Sequence, residues 1–165
     1  DDYWKSNAEV NYKNIPKKII CEEYISNPNG FFPVDYKVYC FNGEPTFIGN
    51  FIERDKETLK VKRGYCNFDW EPQDLLIDKY KCDPNKFQKP KNLKKMYHIA
   101  KDLCKPFPFV RIDFYECEDK LIFGEFTFTP TACLATYFTD EALQRLGDLL
   151  ILPQSKNVLM RDNYE

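Results

Sequence analysis

FVRIDFYECEDKLIFGEFTFTP (residues 109–130) decides the architecture. It reads as two alternating strands, FVRIDFYEC and KLIFGEFTF, joined by a polar turn. Aromatic and β-branched residues suit a pleated, half-buried surface. With a loop at Glu118, Asp119 and Lys120, Cys117 faces Leu121, Asp113 faces Glu125, and Arg111 faces Thr127. Val110, Ile112 and Phe114 then share the other side with Phe128, Phe126 and Gly124. A slip of one residue would bury Glu125 against Ile112, so burial selects this register. The polar side gathers Arg111, Asp113, Glu125 and Thr127. Two carboxylates directly opposite each other repel, and a cation between them relieves the repulsion. Hard oxygen ligands of this kind suit Mg2+, which keeps waters and takes further ligands from phosphates. The plainer reading is a solvated sheet face on which Arg111 pairs with Asp113 and Glu125.

Working outward, VDYKVYCF and PTFIGNFIER flank Asn42-Gly43, the strongest short hairpin signal. A two-residue turn pairs Lys37 with Ile48 and Asp35 with Asn50. Asp35, Lys37 and Asn50 then share a face, Arg54 has the same parity, and the other face carries Val34, Tyr36, Val38, Phe47 and Phe51. Residues 17–25 (KKIICEEYI) read as a further strand, followed by a breaker-dense loop over 26–33. A strand is expected near residues 59–63, then loops in which Phe68, Trp70 and Tyr80 cover the sheet. Leu93, Met96, Ile99, Ala100 and Leu103 follow helical spacing, with Asn92 as cap. Asp140 caps a last helix over residues 141–150. The order predicts an α+β fold with a mostly antiparallel sheet.

The 165 residues fit one domain, or one lobe of a larger protein. The net charge is -2, so no bulk positive charge attracts nucleic acid or an anionic membrane. Aromatics interleaved with lysine (Tyr36-Lys37, Tyr80-Lys81, Lys86-Phe87) raise single-stranded nucleic acid as a ligand. The charge balance and the inward alternation of those rings set that reading aside. No apolar run reaches the ~18 residues of a membrane helix, and the acidic N-terminus is no signal peptide. Seven widely spaced cysteines contain no CxxC and read as reduced core residues of a cytoplasmic protein. The single histidine, His98, falls inside the first long helix and reads as structural.

IPKKIICEEYI, PVDYKVYCFNGEPTFI, QKPKNLKKM and residues 107–130 follow one another in an order that resembles the TupA-like ATP-grasp proteins of bacterial surface-polymer synthesis, teichuronopeptide among them. RIDFY with GEFTFTP, preceded by EEYI and DYK, carries the resemblance. It implies an ATP-grasp C-terminal lobe over residues 15–165, with 1–14 the tail of an upstream lobe of the same protein. It implies ATP and Mg2+ as cofactors, and a small-molecule or glycan substrate. Glu22, Glu23, Tyr24 and Ile25 resemble the hinge whose backbone binds adenine. Asp35 sits where these enzymes place an acid near the ribose, and Lys37 where a base approaches phosphate. Arg54 resembles an arginine ending the next strand. Arg111 would clamp the transferring phosphoryl group, while Asp113, Glu125 and Thr127 would hold metal. Thr127 stands where the family has Asn, and Thr131-Ala132-Cys133 where it commonly has Gly. The first 21 residues contain no glycine, so the phosphate-binding Gly-rich loop is not among them. The implied activity is carboxylate activation through an acylphosphate to form an amide, with the chain by itself expected to be inactive. The alternative is a non-catalytic nucleotide-binding or assembly module in the same pathway.

Overall fold

A computed structural model describes residues 3–6, 9–25, 34–54 and 61–152. Among the described residues six strands form one antiparallel sheet: β1 (Asp35–Phe41), β2 (Glu44–Arg54), β3 (Val61–Cys66), β4 (Pro72–Gln73), β5 (Phe109–Cys117) and β6 (Lys120–Thr127). Their spatial order is β4-β3-β2-β1-β5-β6. Three α-helices accompany them among the described residues: α1 (Tyr3–Ser6), α2 (Leu93–Cys104) and α3 (Asp140–Leu149). The expected α+β class and antiparallel sheet are therefore present.

The sheet has two unlike faces. On one, Leu93, Met96, Ala100 and Cys104 of α2 close over Tyr36, Val38, Cys40, Ile48, Val110, Ile112 and Phe114. Phe68 and Trp70 extend this layer, as expected. On the other face, Ala142 of α3 and the segment pairs Leu75-Leu76 and Tyr137-Phe138 cover Tyr39, Phe41, Phe47 and Tyr65. That cover reaches only part of the face. The alternation of β1 brings Asp35 and Lys37 to the same side as Tyr39 and Phe41, beyond the apolar cover. The polar site occupies this remaining half.

Both hairpins turn on left-handed residue pairs. Asn42 and Gly43 have φ of 51° and 74°, and Glu118 and Asp119 have φ of 48° and 64°, the twist that suits strand pairs. The second turn is thus two residues long, and Cys117 faces Lys120. A bulge restores the expected register further on: two residues, Gly124 and Glu125, oppose Asp113, and Arg111 still faces Thr127. Phe123, not Gly124, lies across from Phe114. Gly124 permits the bulge, because a Cβ there would lie 3.1 Å from the Asp113 carbonyl oxygen and from the Tyr115 ring.

The first hairpin departs from expectation. Its register shifts between Tyr39 and Cys40, leaving Thr46 as an extra residue, so Asp35 faces Phe51 and Lys37 faces Gly49. Pro45 has no N–H to give the ladder, which favours a bulge beside it. The shift moves Asn50 across from Tyr36, onto the α2 face, where it is fully buried. Phe47 and Phe51 move to the polar side.

Residues 17–25 are not a strand. They run without regular structure, with Ile19 96% and Tyr24 70% exposed; a strand needs a neighbour for its backbone groups, and among the described residues this stretch has none. The loop expected over 26–33 lies outside the described residues. Thr139, not Asp140, caps α3 by accepting from the Ala142 N–H. Asn92 precedes α2, but its side chain does not cap; the Glu116 carboxylate of β5 accepts from the backbone N–H groups of Lys91 and Asn92 instead. All seven cysteines are described and none is in a disulfide; Cys40, Cys66, Cys82 and Cys104 are buried, whereas Cys21 and Cys133 are exposed rather than core. His98 is exposed on α2. Lys89 lies with α2 beneath the sheet, away from the polar face.

Candidate functional site: a charged sheet face beside a hydroxyl-lined cleft

β1 and β5 are neighbours, and their register sets Lys37 across from Asp113. Asp113 is 2% exposed, yet both carboxylate oxygens are satisfied. Arg111 donates from Nε to Oδ1 at 2.7 Å and from its terminal nitrogen to Oδ2 at 2.8 Å. Lys37 Nζ donates to Oδ2 at 2.5 Å and pairs with Asp35 at 2.8 Å. The same terminal nitrogen of Arg111 reaches Glu125 at 3.1 Å and the Thr127 hydroxyl at 2.8 Å. Thr127 in turn donates to Glu125 at 3.0 Å. Carboxylate and cation alternate along the row Asp35, Lys37, Asp113, Arg111, Glu125.

The pairing of Arg111 with Asp113 and Glu125 is the one the plainer reading expected, but Arg111 and Asp113 are largely withdrawn from solvent while Glu125 stays exposed. Breaking one partner of such a buried pair costs about 3–5 kcal/mol. Burial weakens the Arg111 charge, but the hydrogen bonds and charge of Asp113 outweigh it and hold its pKa above the ordinary value.

The structure brings together Asp35, Lys37, Arg111, Asp113, Glu125 and Thr127 from two hairpins. It does not bring Glu22, Glu23, Tyr24 and Ile25 to the cleft beside Arg111. Arg54 ends β2, and its side chain lies outside the described residues. Among the described residues no three His, Cys, Asp or Glu side chains are grouped to hold an ion. The donor set nonetheless fits a hard cation of the Mg2+ kind: oxygens of Asp113, Glu125 and Thr127 already converge on one positive nitrogen, and phosphate oxygens commonly complete such a shell. The fit to a nucleotide has its own mark, since Asp35 Oδ1 is buried with no hydrogen-bond partner among the described residues.

Three further residues join the site that sequence reasoning missed. Glu9 is 5% exposed and accepts from the Thr129 hydroxyl at 2.5 Å, tying the N-terminal segment to the loop after β6. Tyr12 stands beside it; burial, then Glu9 and Glu125, raise its pKa. Arg63 on β3 shares the Phe51 ring with Lys37, at 5.0 and 5.1 Å, and its Nε is buried without a partner among the described residues. A one-for-one count along β2 places Phe51 on the wrong face, so Arg63 left no signal. Glu9 sits in a polar stretch without periodicity.

Glu9, Tyr12, Arg111, Glu125, Thr127 and Thr129 line a cleft of about 700 Å³. Its far wall is a left-handed turn: Thr131, Ala132 and Cys133 have φ of 54°, 51° and 59°. These are the positions where a glycine was expected from the resemblance.

The chain is thus an α+β domain whose half-covered sheet face carries a buried charge network at the mouth of a cleft. The family model for TupA-like ATPgrasp matches residues 1–151, and the chain belongs to that family. The family is one of ATP-grasp-type ligases, which use ATP. No curated protein and no solved structure matches the chain. Among the described residues no helix is long and apolar enough to cross a membrane.

Proposed function

We propose that this chain supplies the metal- and nucleotide-binding face of an ATP- and Mg2+-dependent carboxylate–amine ligase acting in bacterial surface-polymer synthesis. The observation that carries the reading is the buried Arg111–Asp113–Lys37 network with Glu125 and Thr127 at its rim. In the reaction, a substrate carboxylate oxygen attacks the γ-phosphorus of ATP, and ADP leaves. The resulting acylphosphate is attacked by an amine, which loses a proton as inorganic phosphate departs and the amide forms.

Each residue has a part. Asp35, with its orphan Oδ1, accepts from a ribose hydroxyl. Lys37 and Arg111 neutralise charge on the transferring phosphoryl group, where positioning and electrostatics do most of the work. Asp113, Glu125 and Thr127 would hold Mg2+, which supplies charge stabilisation. Arg54 stands as a further cation, and the backbone of residues 22–25 as the adenine hinge. Reliance on ATP supports a cytoplasmic site for the reaction. No cysteine or histidine is required, in keeping with the position of His98 on the exposed side of α2.

Titration of MgATP into the chain and into Glu125→Ala, followed by melting temperature, tests this. Ligand at about 100 times its Kd adds ~2.7 kcal/mol of stability. A rise that needs Mg2+ and is lost in the variant is expected. An equal rise in both proteins would put the nucleotide elsewhere. No rise in either would favour the assembly module, a reading to which Thr127 lends weight because its hydroxyl is already spent on Glu125 and Arg111.

A further inference from the structure

The net charge of -2 hides a strong segregation along the chain. Of 24 basic and 26 acidic side chains, six lysines and no acid fall in residues 84–101, which leaves -8 on the rest. The fold gathers four of those lysines at the start of α2. Two open depressions of about 540 and 460 Å³ meet there and share Lys91, Lys94 and His98. Lys89 borders one and Lys95 the other, and no acid is among the lining residues of either. All five of these side chains belong to exposed residues. The acids that come near are already engaged. Asp119 pairs with Lys91, and Glu116 accepts from the backbone N–H groups of Lys91 and Asn92. Glu44 holds Lys101, and Asp102 pairs with Lys105. Lys89, Lys94 and Lys95 make no ion pair among the described residues.

We infer that this end of α2 is a membrane-docking surface whose lysines meet the phosphate headgroups of an anionic bilayer. Clusters of about four to eight Lys or Arg on an amphipathic helix attract anionic lipid. α2 has that form: Leu93, Met96, Ala100 and Cys104 are buried against the sheet, and Lys94, Lys95 and His98 stand outward. The chemistry of the cluster favours a headgroup plane over its rivals. Residues 84–101 contain no arginine, the residue whose planar fork grips a single phosphate bidentately. Ammonium groups on flexible stems suit charges spread over a surface. A single-stranded nucleic acid needs free rings for its bases. Phe68 and Tyr97 pack edge to face at 5.0 Å, and the Tyr97 hydroxyl donates to Glu44 at 2.6 Å. The Phe87 ring abuts Gly64 of β3. α2 covers the sheet face opposite Lys37 and Asp113, so a docked chain keeps its polar face turned to solution. The inference stands on charge placement and does not rest on the ligase reading.

The test is co-sedimentation of the 165-residue chain with vesicles at low salt. One set is phosphatidylcholine alone, and the other is equal parts phosphatidylcholine and phosphatidylglycerol. The chain should sediment with the second set only, and added salt should release it. One variant combines Lys89→Gln, Lys94→Gln and Lys95→Gln. A matched variant combines Lys13→Gln, Lys18→Gln and Lys79→Gln, which removes the same charge elsewhere. Each docking lysine contributes about fivefold, so the first variant should bind about a hundredfold more weakly. The matched variant should bind nearly as the unaltered chain does. Equal losses in the two variants would trace binding to overall charge and overturn the proposal. Sedimentation with neither vesicle, or equally with both, overturns it too. So does tighter binding to a single-stranded oligonucleotide or to polyglutamate than to the anionic vesicles, which would name a nucleic acid or an acidic protein as the partner. Nucleotide binding is read separately by the Glu125→Ala titration, so failure here leaves the ligase reading standing, and failure there leaves this one.

Discussion

Ala132 shows most plainly how one residue bears on the site. It holds φ 51° and ψ 29° between two other left-handed residues, a conformation in which an L side chain is strained. Glycine meets no such penalty. Ala132→Gly should therefore raise stability by about 1 kcal/mol, read as a higher urea midpoint at unchanged slope. A fall would mean that the loss of backbone freedom on folding outweighs the relief of strain. The resemblance had marked this position as a departure from the family. The structure keeps the left-handed geometry without the glycine. Asp113 tells the complementary story. Its partner Arg111 and its neighbour Glu125 were legible from alternation alone, but its burial and its bond to Lys37 depend on β1 lying beside β5, a pairing between segments 76 residues apart.

At the scale of elements, turns and periodic faces were legible and bulges were not. The Asn42-Gly43 turn and the helix over residues 93–104 depend on local signals, and both are present. The bulge at Thr46 reverses the facing of everything beyond it on β2, because side chains alternate with period two. Asn50 went to the buried face and Phe51 to the polar one by that single residue. The bulge at Gly124 had the opposite effect, cancelling an error in the expected turn length. Close packing also explains Gly64 on β3. A Cβ there would fall 1.9 Å from the tip of the Phe87 ring, which abuts the strand. Gly64→Ala should cost about 1–3 kcal/mol by overpacking, measured by thermal unfolding. Phe87→Leu in the same chain should return part of the loss. An unchanged melting temperature for the single variant would show that Phe87 does not occupy that space.

For the whole molecule, burial divides the seven thiols into groups that chemistry can count. Thiolate is the reactive form and needs access. Burial pushes the Cys66 thiol from its ordinary 9.0 to about 11, with Cys82 nearby adding to the shift, and raises Cys40 as well. Partial burial and the Glu9 carboxylate raise Cys133. Alkylation near pH 8, mapped by mass spectrometry, should modify Cys21 first and Cys133 next. Cys40, Cys66, Cys82 and Cys104 should react only after unfolding. The linkage has a definite sign: a thiol held protonated by the fold contributes fully below its unfolded pKa, and that contribution is lost as pH rises from about 9 toward 11. Rapid labelling of Cys66 in the folded chain would contradict the sheet's two-layer cover. The amino-acid sequence by itself determined the hairpins, the long helix, the α+β class and the membership of Arg111, Asp113, Glu125 and Thr127 on one face, since turn chemistry and alternation act over a few residues. Tertiary structure alone decided the two bulges, the burial of Asp113, the exposure of residues 17–25 and the arrival of Glu9 and Arg63. Those depend on which surfaces distant segments can cover, and that is settled by packing across the whole sheet.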